Sequence, residues 1–394
     1  MTASVAAIRN RVQDLDAVRG LALLGIFIVN ITFMSSGYPG NLVTDPEYSS
    51  VFDNFVRGLS SVFIDMKFYM LFSFLFGYSF TLQLEAAKRA GAAFGPRMLR
   101  RIGGLFVLGA LHTAFLYGGD VLTTYAVACL VLFWMRNASD RTALRVAAIV
   151  YGVVLLIMVA SGLFVDSSTY LPGEAEALAN GAHATQAMLG GWGDVIDHNL
   201  GGLVLLIAQA VSFQGPASLA LFLLGMVAGR RRLLANVRGD EPILRRLQLI
   251  GYPIGIAGGL AFALGGGAGT GLASAASVAT APLLTAAYVA TLLRMMHSPR
   301  TEFLRDTLAP AGRIALTNYL GQSVVGLVLF TGVGFGLAGS FSPAATMGLA
   351  VLVFAGQVAA SAWWLRHHQY GPAEWVLRWV TNARRPAWRK AEAR

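Results

Sequence analysis

The apolar run GLALLGIFIVNITFMSS, residues 20–36, decides the fold. It contains no charged side chain, and Arg9, Arg11 and Arg19 precede it. A helix needs roughly 20 mostly apolar residues to cross the hydrocarbon core of a bilayer. Hydrophobic residues make up 56% of the 394 residues and charged residues only 13%, whereas a soluble domain carries about 25% charged residues. The sequence therefore predicts an integral membrane protein.

Further apolar segments of spanning length follow along the chain, and all are read as helices. The predicted fold is all-α, a single bundle of about ten transmembrane helices. The third and fourth spans are short and are expected to form a tight hairpin through the turn at 117–120. The ten predicted spans are 20–36, 62–81, 102–117, 121–135, 146–165, 213–229, 247–266, 272–293, 314–335 and 343–365.

The basic residues alternate between the connections of these spans. When the chain is drawn with these ten spans, 28 of the 30 Lys and Arg residues lie on one side of the membrane, and only Arg57 and Lys67 lie on the other. The positive-inside rule then predicts that both termini are cytoplasmic. It also accounts for the net charge of +10 without a nucleic-acid partner, because basic residues in short loops face anionic lipid.

The chain reads as one transmembrane domain over residues 1–394. Residues 14–135 form an N-terminal region of helices that carry motifs, and residues 300–380 form a C-terminal motif region. The middle region, 136–246, contains an extracytoplasmic loop at 166–200 that has no Lys or Arg.

Polar side chains at membrane depth mark candidate sites, because an unpaired charge in hydrocarbon costs several kcal/mol. Asp16 and Arg19 are three residues apart and share a helical face. They form either a surface ion pair or a site in which Arg19 holds a phosphate or carboxylate. Asn30, further along the same helix, either bonds a neighbouring helix or donates its amide to a substrate carbonyl.

A second group lies around the predicted hairpin. His112 is in the outer half of the third span, Asp120 is in the hairpin turn, and Tyr125 follows. A His oriented by a carboxylate is the usual layout of a general base. We expect His112 and Asp120 to lie within reach of a hydrogen bond or one bridging water, facing a cavity. The alternative is a His that bonds a backbone carbonyl between helices.

A third group opens the ninth span from the cytoplasm, where Arg313 precedes Asn318 and Gln322 on one helical face. Gln357 and Ser361 share a face of the tenth span. Two facing polar stripes indicate either hydrogen bonding between helices or a polar tunnel. The chain has no His-Glu-x-x-His and no clustered Cys and His, so no metal site is predicted.

These segments resemble the YeiB-like family of bacterial membrane proteins from about residue 14 to residue 380. The resemblance implies a multi-pass protein of the bacterial plasma membrane. The motifs that carry it are Leu-Asp-x-x-Arg-Gly-x-Ala-Leu-x-Gly-Ile from Leu15, Phe-Ser-x-Leu-Phe-Gly at 72–77, Leu-His at 111–112 followed by Gly-Asp-x-Leu-x-x-Tyr-Ala from Gly119, Gly-Arg-x-Ala-Leu-Thr-Asn-Tyr-Leu-x-Gln-Ser from Gly312, and Gly-Pro-x-Glu-Trp from Gly371.

The family in turn looks like a distant relative of transmembrane acyltransferases, one branch of which acetylates the terminal glucosamine of heparan sulfate. The shared part is Asp16-x-x-Arg19-Gly20 followed by Asn30. In that branch a His follows shortly after the Asn, whereas this chain has no His between Asn30 and His112.

The resemblance implies an enzyme that moves an acyl group, most simply acetyl, from cytoplasmic acyl-CoA to an extracytoplasmic hydroxyl or amine. In that interpretation His112, oriented by Asp120, deprotonates the acceptor. Asn30 or Tyr125 stabilises the oxyanion. The residues expected to bind acyl-CoA are Asp16, Arg19, Arg313, Asn318 and Gln322. The alternative function is a transporter or exporter of a small molecule or lipid. The expected partners are the bilayer, acyl-CoA, the acceptor and, as an open alternative, a second copy of the chain.

Overall fold

The computed structural model describes residues 2–91, 93–169, 171–233, 236–237 and 239–390. Within these ranges the only β pairing is an isolated bridge between His368 and Arg389. The described α-helices are α1 Thr2–Ser35, α2 Val51–Phe63, α3 Lys67–Arg89, α4 Phe94–Phe115, α5 Leu122–Trp134, α6 Asp140–Phe164, α7 Glu174–Met188, α8 Trp192–Gly201, α9 Leu203–Gln209, α10 Gly215–Arg230, α11 Glu241–Leu264, α12 Gly271–Met296, α13 Phe303–Arg313, α14 Ala315–Phe330, α15 Pro343–His367 and α16 Pro372–Asn382.

Among the described residues, seven helical segments are long and apolar enough to cross a membrane, and there are eight if α13 and α14, bent by 75°, count as one span. The predicted all-α polytopic membrane fold is confirmed. The number of ten spans stays a prediction. The third and fourth predicted spans form the expected hairpin of α4 and α5, but α5 has 13 residues, about 20 Å of helix. The first eight residues of α4 include Arg97, Arg100 and Arg101.

The centre of the bundle is built from α1, α3, α10 and α12. Helices α3 and α10 run in the same direction. The Tyr69 hydroxyl contacts Ser218 near the start of both helices, and Thr81, further along α3, lies against Gly229 near the end of α10. Their backbones touch between these points. A Cβ atom on Gly77 would lie 2.0 Å from the facing carbonyl oxygen of α10. Small residues at helix contacts allow this close packing in membrane proteins.

The outer helices α6, α11 and α15 carry apolar side chains on the protein surface. Only 11% of the most apolar part of α6 is buried inside the protein, against 61% for α1. Phe164, Leu156 and Leu352 are each at least 66% exposed. Exposed apolar surface of this extent indicates contact with lipid.

The predicted extracytoplasmic loop at 166–200 is mostly helical, since it contains α7 and most of α8. Both helices pack on other parts of the protein. The Gly37 amide donates to Thr185 at 3.0 Å, and the Gly118 amide in the α4–α5 turn donates to Asn199 at 3.2 Å. These two helices therefore cover one end of the bundle above the hairpin.

Candidate functional site

The α4–α5 hairpin brings His112 and Asp120 together. Asp120 ends the turn and accepts hydrogen bonds from the Thr123 amide at 2.8 Å and the Thr123 hydroxyl at 2.9 Å, so it caps the first turn of α5. Gly109, one turn before His112, makes room for it, because a Cβ atom there would lie 2.8 Å from the Asp120 carboxylate. Local sequence therefore fixes the carboxylate beside the imidazole.

Both nitrogens of the His112 ring are engaged. Nδ1 lies 3.0 Å from Asp120 Oδ1, and Nε2 lies 2.7 Å from Ser323 Oγ on α14. An ionised carboxylate only accepts, so Nδ1 carries the proton. In the neutral imidazole, Nε2 is then an acceptor, and the Ser323 hydroxyl donates to it. The predicted contact between His112 and Asp120 is confirmed, and the three side chains form a serine–histidine–carboxylate chain.

This group is enclosed by protein and does not line an open cavity. The side chains of His112 and Asp120 are 0% and 2% exposed, and Ser323 is 1% exposed. The ring of Tyr319 lies 5.1 Å from the imidazole, centre to centre. Any reactant must therefore enter between the helices.

Two buried polar atoms on α14, one and four residues before Ser323 in sequence, have no hydrogen-bond partner among the described residues. They are the hydroxyl of Tyr319 and Oε1 of Gln322. The backbone of Val121 lies near the Tyr319 hydroxyl, without hydrogen-bonding geometry. Leaving such groups unpaired costs roughly 1–3 kcal/mol each. Unsatisfied groups in a native structure call for an explanation, such as a ligand that pairs with them.

The polar stripes of α14 and α15 bond to each other. Asn318 Nδ2 donates to Ser361 Oγ at 3.0 Å, and Gln322 Nε2 donates to Gln357 Oε1 at 2.9 Å. Gln357 Nε2 donates in turn to the Asn318 carbonyl at 2.9 Å. Of the two alternatives read from the sequence, these contacts match hydrogen bonding between helices.

The start of α14 is capped from α16. Glu374 accepts hydrogen bonds from the amides of Leu316 at 2.7 Å and Thr317 at 3.2 Å and from the Thr317 hydroxyl at 2.5 Å. Burial nevertheless raises the pKa of the Glu374 carboxyl, although these hydrogen bonds lower it in part. The Gly-Pro-x-Glu-Trp motif thus fixes the beginning of the helix that carries Ser323.

Arg19 points into the bundle and connects three helices. It donates to Asp16 at 2.6 Å and to Ser79 on α3 at 2.8 Å, and it approaches the Gly312 carbonyl on α13 at 3.3 Å. Asp16 therefore orients Arg19. Much of the donor capacity of Arg19 is used within the protein.

Several arginines lie together at this end of the bundle, and one of them, Arg101, has free donors. Arg101 lies near Arg19, Arg378 and the Glu374 carboxylate, and it has no hydrogen bond or ion pair to the described part of the chain. We call the end marked by Arg19, Arg101 and Arg378 the arginine-rich end. An open groove of about 460 Å³ between α4 and the segment after α16 lies nearby. Its lining residues are Arg97, Asn382, Arg384, Arg385, Pro386 and Ala387.

Three other predicted site residues lie elsewhere. The Tyr125 hydroxyl bonds to Ser73 at 2.7 Å and to the Tyr69 carbonyl at 3.2 Å, so it does not reach His112. Asn30 is half-buried and makes no hydrogen bond to a described residue. Arg313 is exposed and donates to the Gln369 carbonyl at 3.1 Å. The structure therefore keeps these side chains apart from the serine–histidine–carboxylate chain.

The sequence interpretation gave no role to Ser323, Tyr319 or Arg101. Ser323 and Tyr319 stand in the Gly-Arg-x-Ala-Leu-Thr-Asn-Tyr-Leu-x-Gln-Ser motif and are four residues apart, so they share a face of α14. This four-residue spacing is the sequence feature from which a shared site could have been predicted. In the sequence Arg101 stands out only as one of the 28 basic residues on one side of the membrane, although it is four residues from Arg97 on α4.

Fold and site together define a polytopic α-helical membrane protein with a buried serine–histidine–carboxylate group. The family described as "Protein of unknown function (DUF418)" matches residues 228–384. Uncharacterized protein YxaH of Bacillus subtilis (strain 168) is 29% identical over 94% of both chains. Uncharacterized protein YeiB of Escherichia coli (strain K12) is 26% identical over 93% of this chain and 95% of its own. The resemblance to the YeiB-like family is confirmed by these matches, two of which cover nearly the whole chain. No solved structure matches it significantly.

Proposed function

We propose that the protein is a transmembrane acyltransferase. It takes an acyl group, in the simplest case acetyl, from acyl-CoA at its arginine-rich end, which faces the cytoplasm. It passes the group to a hydroxyl or amine on the other side of the membrane, on a sugar, lipid head group or metabolite. The observation that carries the proposal is the imidazole of His112, held between Asp120 and Ser323.

That arrangement suits acyl transfer for a chemical reason. Acyl transfer from a thioester needs a base that removes a proton from the attacking hydroxyl or amine and later returns a proton to the leaving group. A neutral imidazole with Nδ1–H held by a carboxylate presents Nε2 for this purpose. The carboxylate also stabilises the imidazolium that forms. His112 and Asp120 meet both conditions, and burial keeps water away from a reactive thioester.

The arginine-rich end suits the donor. CoA carries several phosphate groups, and the planar guanidinium of Arg forms paired hydrogen bonds with phosphate oxygens. Arg101 has free donors, while Arg97, Arg384 and Arg385 line the adjacent groove. We therefore assign phosphate binding mainly to this groove and to Arg101. Arg19, held by Asp16 and Ser79, supports the wall of the site.

The test is calorimetric binding of acetyl-CoA and a long-chain acyl-CoA to the purified protein, together with release of CoA thiol. Arg101→Ala should weaken binding by about 10- to 100-fold, since a hydrogen bond to a charged group contributes roughly 1.5–3 kcal/mol. Arg141→Ala is the matched control, because Arg141 is exposed, lies outside the groove and carries the same charge. Wild-type protein that neither binds any acyl-CoA nor releases CoA thiol would refute the proposal.

A transporter is the second candidate, and two neighbouring ionisable side chains, Asp65 and Lys67, favour it. Lys67 is 1% exposed and donates to the Ser61 carbonyl at 2.8 Å. Asp65 accepts from the hydroxyls of Ser60 and Ser61. Ionisable groups inside membrane helices often line transport pathways. This function predicts that Lys67→Met changes ion or proton flux in proteoliposomes and that wild-type protein releases no CoA thiol.

A further inference from the structure

We infer that Ser323 is the nucleophile of the reaction and carries the acyl group as a covalent ester between the two half-reactions. This inference rests on the proposed acyl transfer and adds an intermediate to it. The direct alternative, in which His112 activates the acceptor itself, needs donor and acceptor in the site together.

The first argument is the position of the hydroxyl. Ser323 Oγ is 2.7 Å from His112 Nε2, within the reach that a general base needs to activate a nucleophile. His112 is in turn oriented by Asp120 at 3.0 Å. Because the Ser323 hydroxyl is hydrogen-bonded to Nε2, an acceptor could give its proton to that nitrogen only after displacing the serine hydroxyl. The geometry therefore favours serine as the first group to be deprotonated.

The chemistry balances without any further reactant. Ser323 Oγ attacks the thioester carbonyl carbon while its proton moves to His112 Nε2, and the C–S bond breaks. The CoA thiolate leaves with the proton from the imidazolium. An acceptor hydroxyl or amine then attacks the serine ester, gives its proton to Nε2, and the serine oxygen leaves and takes that proton back.

The second argument is two unpartnered atoms on α14, in the residues four and one positions before Ser323. The Tyr319 hydroxyl, one turn earlier on α14, can donate a hydrogen bond to the oxyanion that develops on the thioester carbonyl. Gln322 Oε1 can accept one from an amide N–H of the pantetheine arm. Both atoms are buried and unsatisfied. A bound pantetheine thioester would pair with both.

The third argument is depth. Ser323 is eight residues along α14 from Ala315, which places it about 12 Å from the arginine-rich end of that helix. An extended phosphopantetheine arm has comparable length, so its phosphates can stay at the arginines while the thioester reaches Ser323. A hydrocarbon core is about 30 Å thick. An ester at this depth lets the two substrates arrive from opposite faces at different times, without an open pore.

The experiment is isotope exchange between acetyl-CoA and labelled CoA, with no acceptor present. An acyl-enzyme catalyses this exchange, whereas direct transfer does not. The same samples are analysed for a covalent acetyl adduct by mass spectrometry of the intact protein. We expect exchange and an adduct on the peptide that contains residues 315–330. The adduct should be labile to hydroxylamine, as an oxygen ester is. A long-chain acyl-CoA is tested in parallel.

Ser323→Ala should lose the adduct and slow exchange by more than about 10⁴-fold, and Ser323→Cys should restore an adduct as a thioester. Ser361→Ala is the matched control, since Ser361 is also buried but bonds Asn318. Size-exclusion profiles in detergent verify folding. Protein that binds acyl-CoA and acylates an acceptor, but shows no exchange or keeps its adduct in Ser323→Ala, overturns the inference alone. Absence of acyl-CoA binding and thiol release overturns the proposed function as well.

Discussion

Asp120→Ala is the substitution with the clearest predicted effect on stability. The carboxylate accepts from His112 Nδ1 at 3.0 Å, from the Thr123 amide at 2.8 Å and from the Thr123 hydroxyl at 2.9 Å. Alanine leaves the imidazole N–H and the Thr123 amide buried without an acceptor, whereas the hydroxyl can rotate. Each orphaned donor costs roughly 1–3 kcal/mol. For the two donors together we therefore expect a loss of about 2–6 kcal/mol in the free energy of unfolding.

Asp120→Asn should lose less stability, because its amide oxygen still caps α5. Its NH₂ group then faces His112 Nδ1, so the ring must carry its proton on Nε2. That tautomer cannot accept the Ser323 proton, and any CoA release should fall by about 10⁴-fold. Unfolding is followed by tryptophan fluorescence during a denaturant titration in detergent. Asp197→Ala, at an exposed position of α8, should stay within about 0.5 kcal/mol of wild type. If Asp120→Ala is as stable as the wild-type protein, this reasoning is refuted.

Three further predictions concern topology, pH and packing. Ser168→Cys should react with an impermeant thiol reagent from outside only, and Ala90→Cys should react from inside only. The buried Cys129 should not react, and the reverse labelling pattern contradicts the predicted orientation. Burial raises the pKa of the Glu374 carboxyl above its ordinary value of 4.5. The stability that this carboxyl contributes to the folded protein is therefore complete below pH 4.5 and is lost as the pH rises through the pKa of the folded state. Glu374→Gln should flatten this decline in unfolding midpoints measured against pH, and an unchanged slope contradicts the assignment. Gly312→Ala should prevent stable folding, since its Cβ would lie 1.7 Å from a backbone oxygen of α1; a normal yield of monodisperse protein would show that the helices separate easily.

The parts of the fold that the sequence predicted are those set by local composition. Apolar length defines the spans, so the membrane class and the helices that carry most of the predicted spans are confirmed. The contact between His112 and Asp120 was also predictable, because only eight residues separate them and the turn between two helices must bring its ends together. Helix α7 was missed because its sequence is too polar to read as a span.

The contact between His112 and Ser323 could not be predicted in the same way. The two residues are 211 positions apart, and their pairing depends on how α4 and α14 pack. Packing also decides which donors stay free. Arg19 and Arg101 look alike in sequence, yet Arg19 is occupied by Asp16 and Ser79. Tyr125 looked like a partner of His112, but its hydroxyl turns toward α3.

The position of Ser323 depends on two contacts near the start of α14. Glu374 caps the first turn of that helix. Gly312, just before the 75° bend, allows α13 to touch the backbone of α1. Both contacts fix where α14 begins and hence how far Ser323 extends toward the imidazole of His112. The N-terminal half of the chain supplies His112 and Asp120, and the C-terminal half supplies Ser323. Neither half contains the complete group, so the proposed reaction should require both halves, and Glu374→Gln should slow it although Glu374 contacts no reactant.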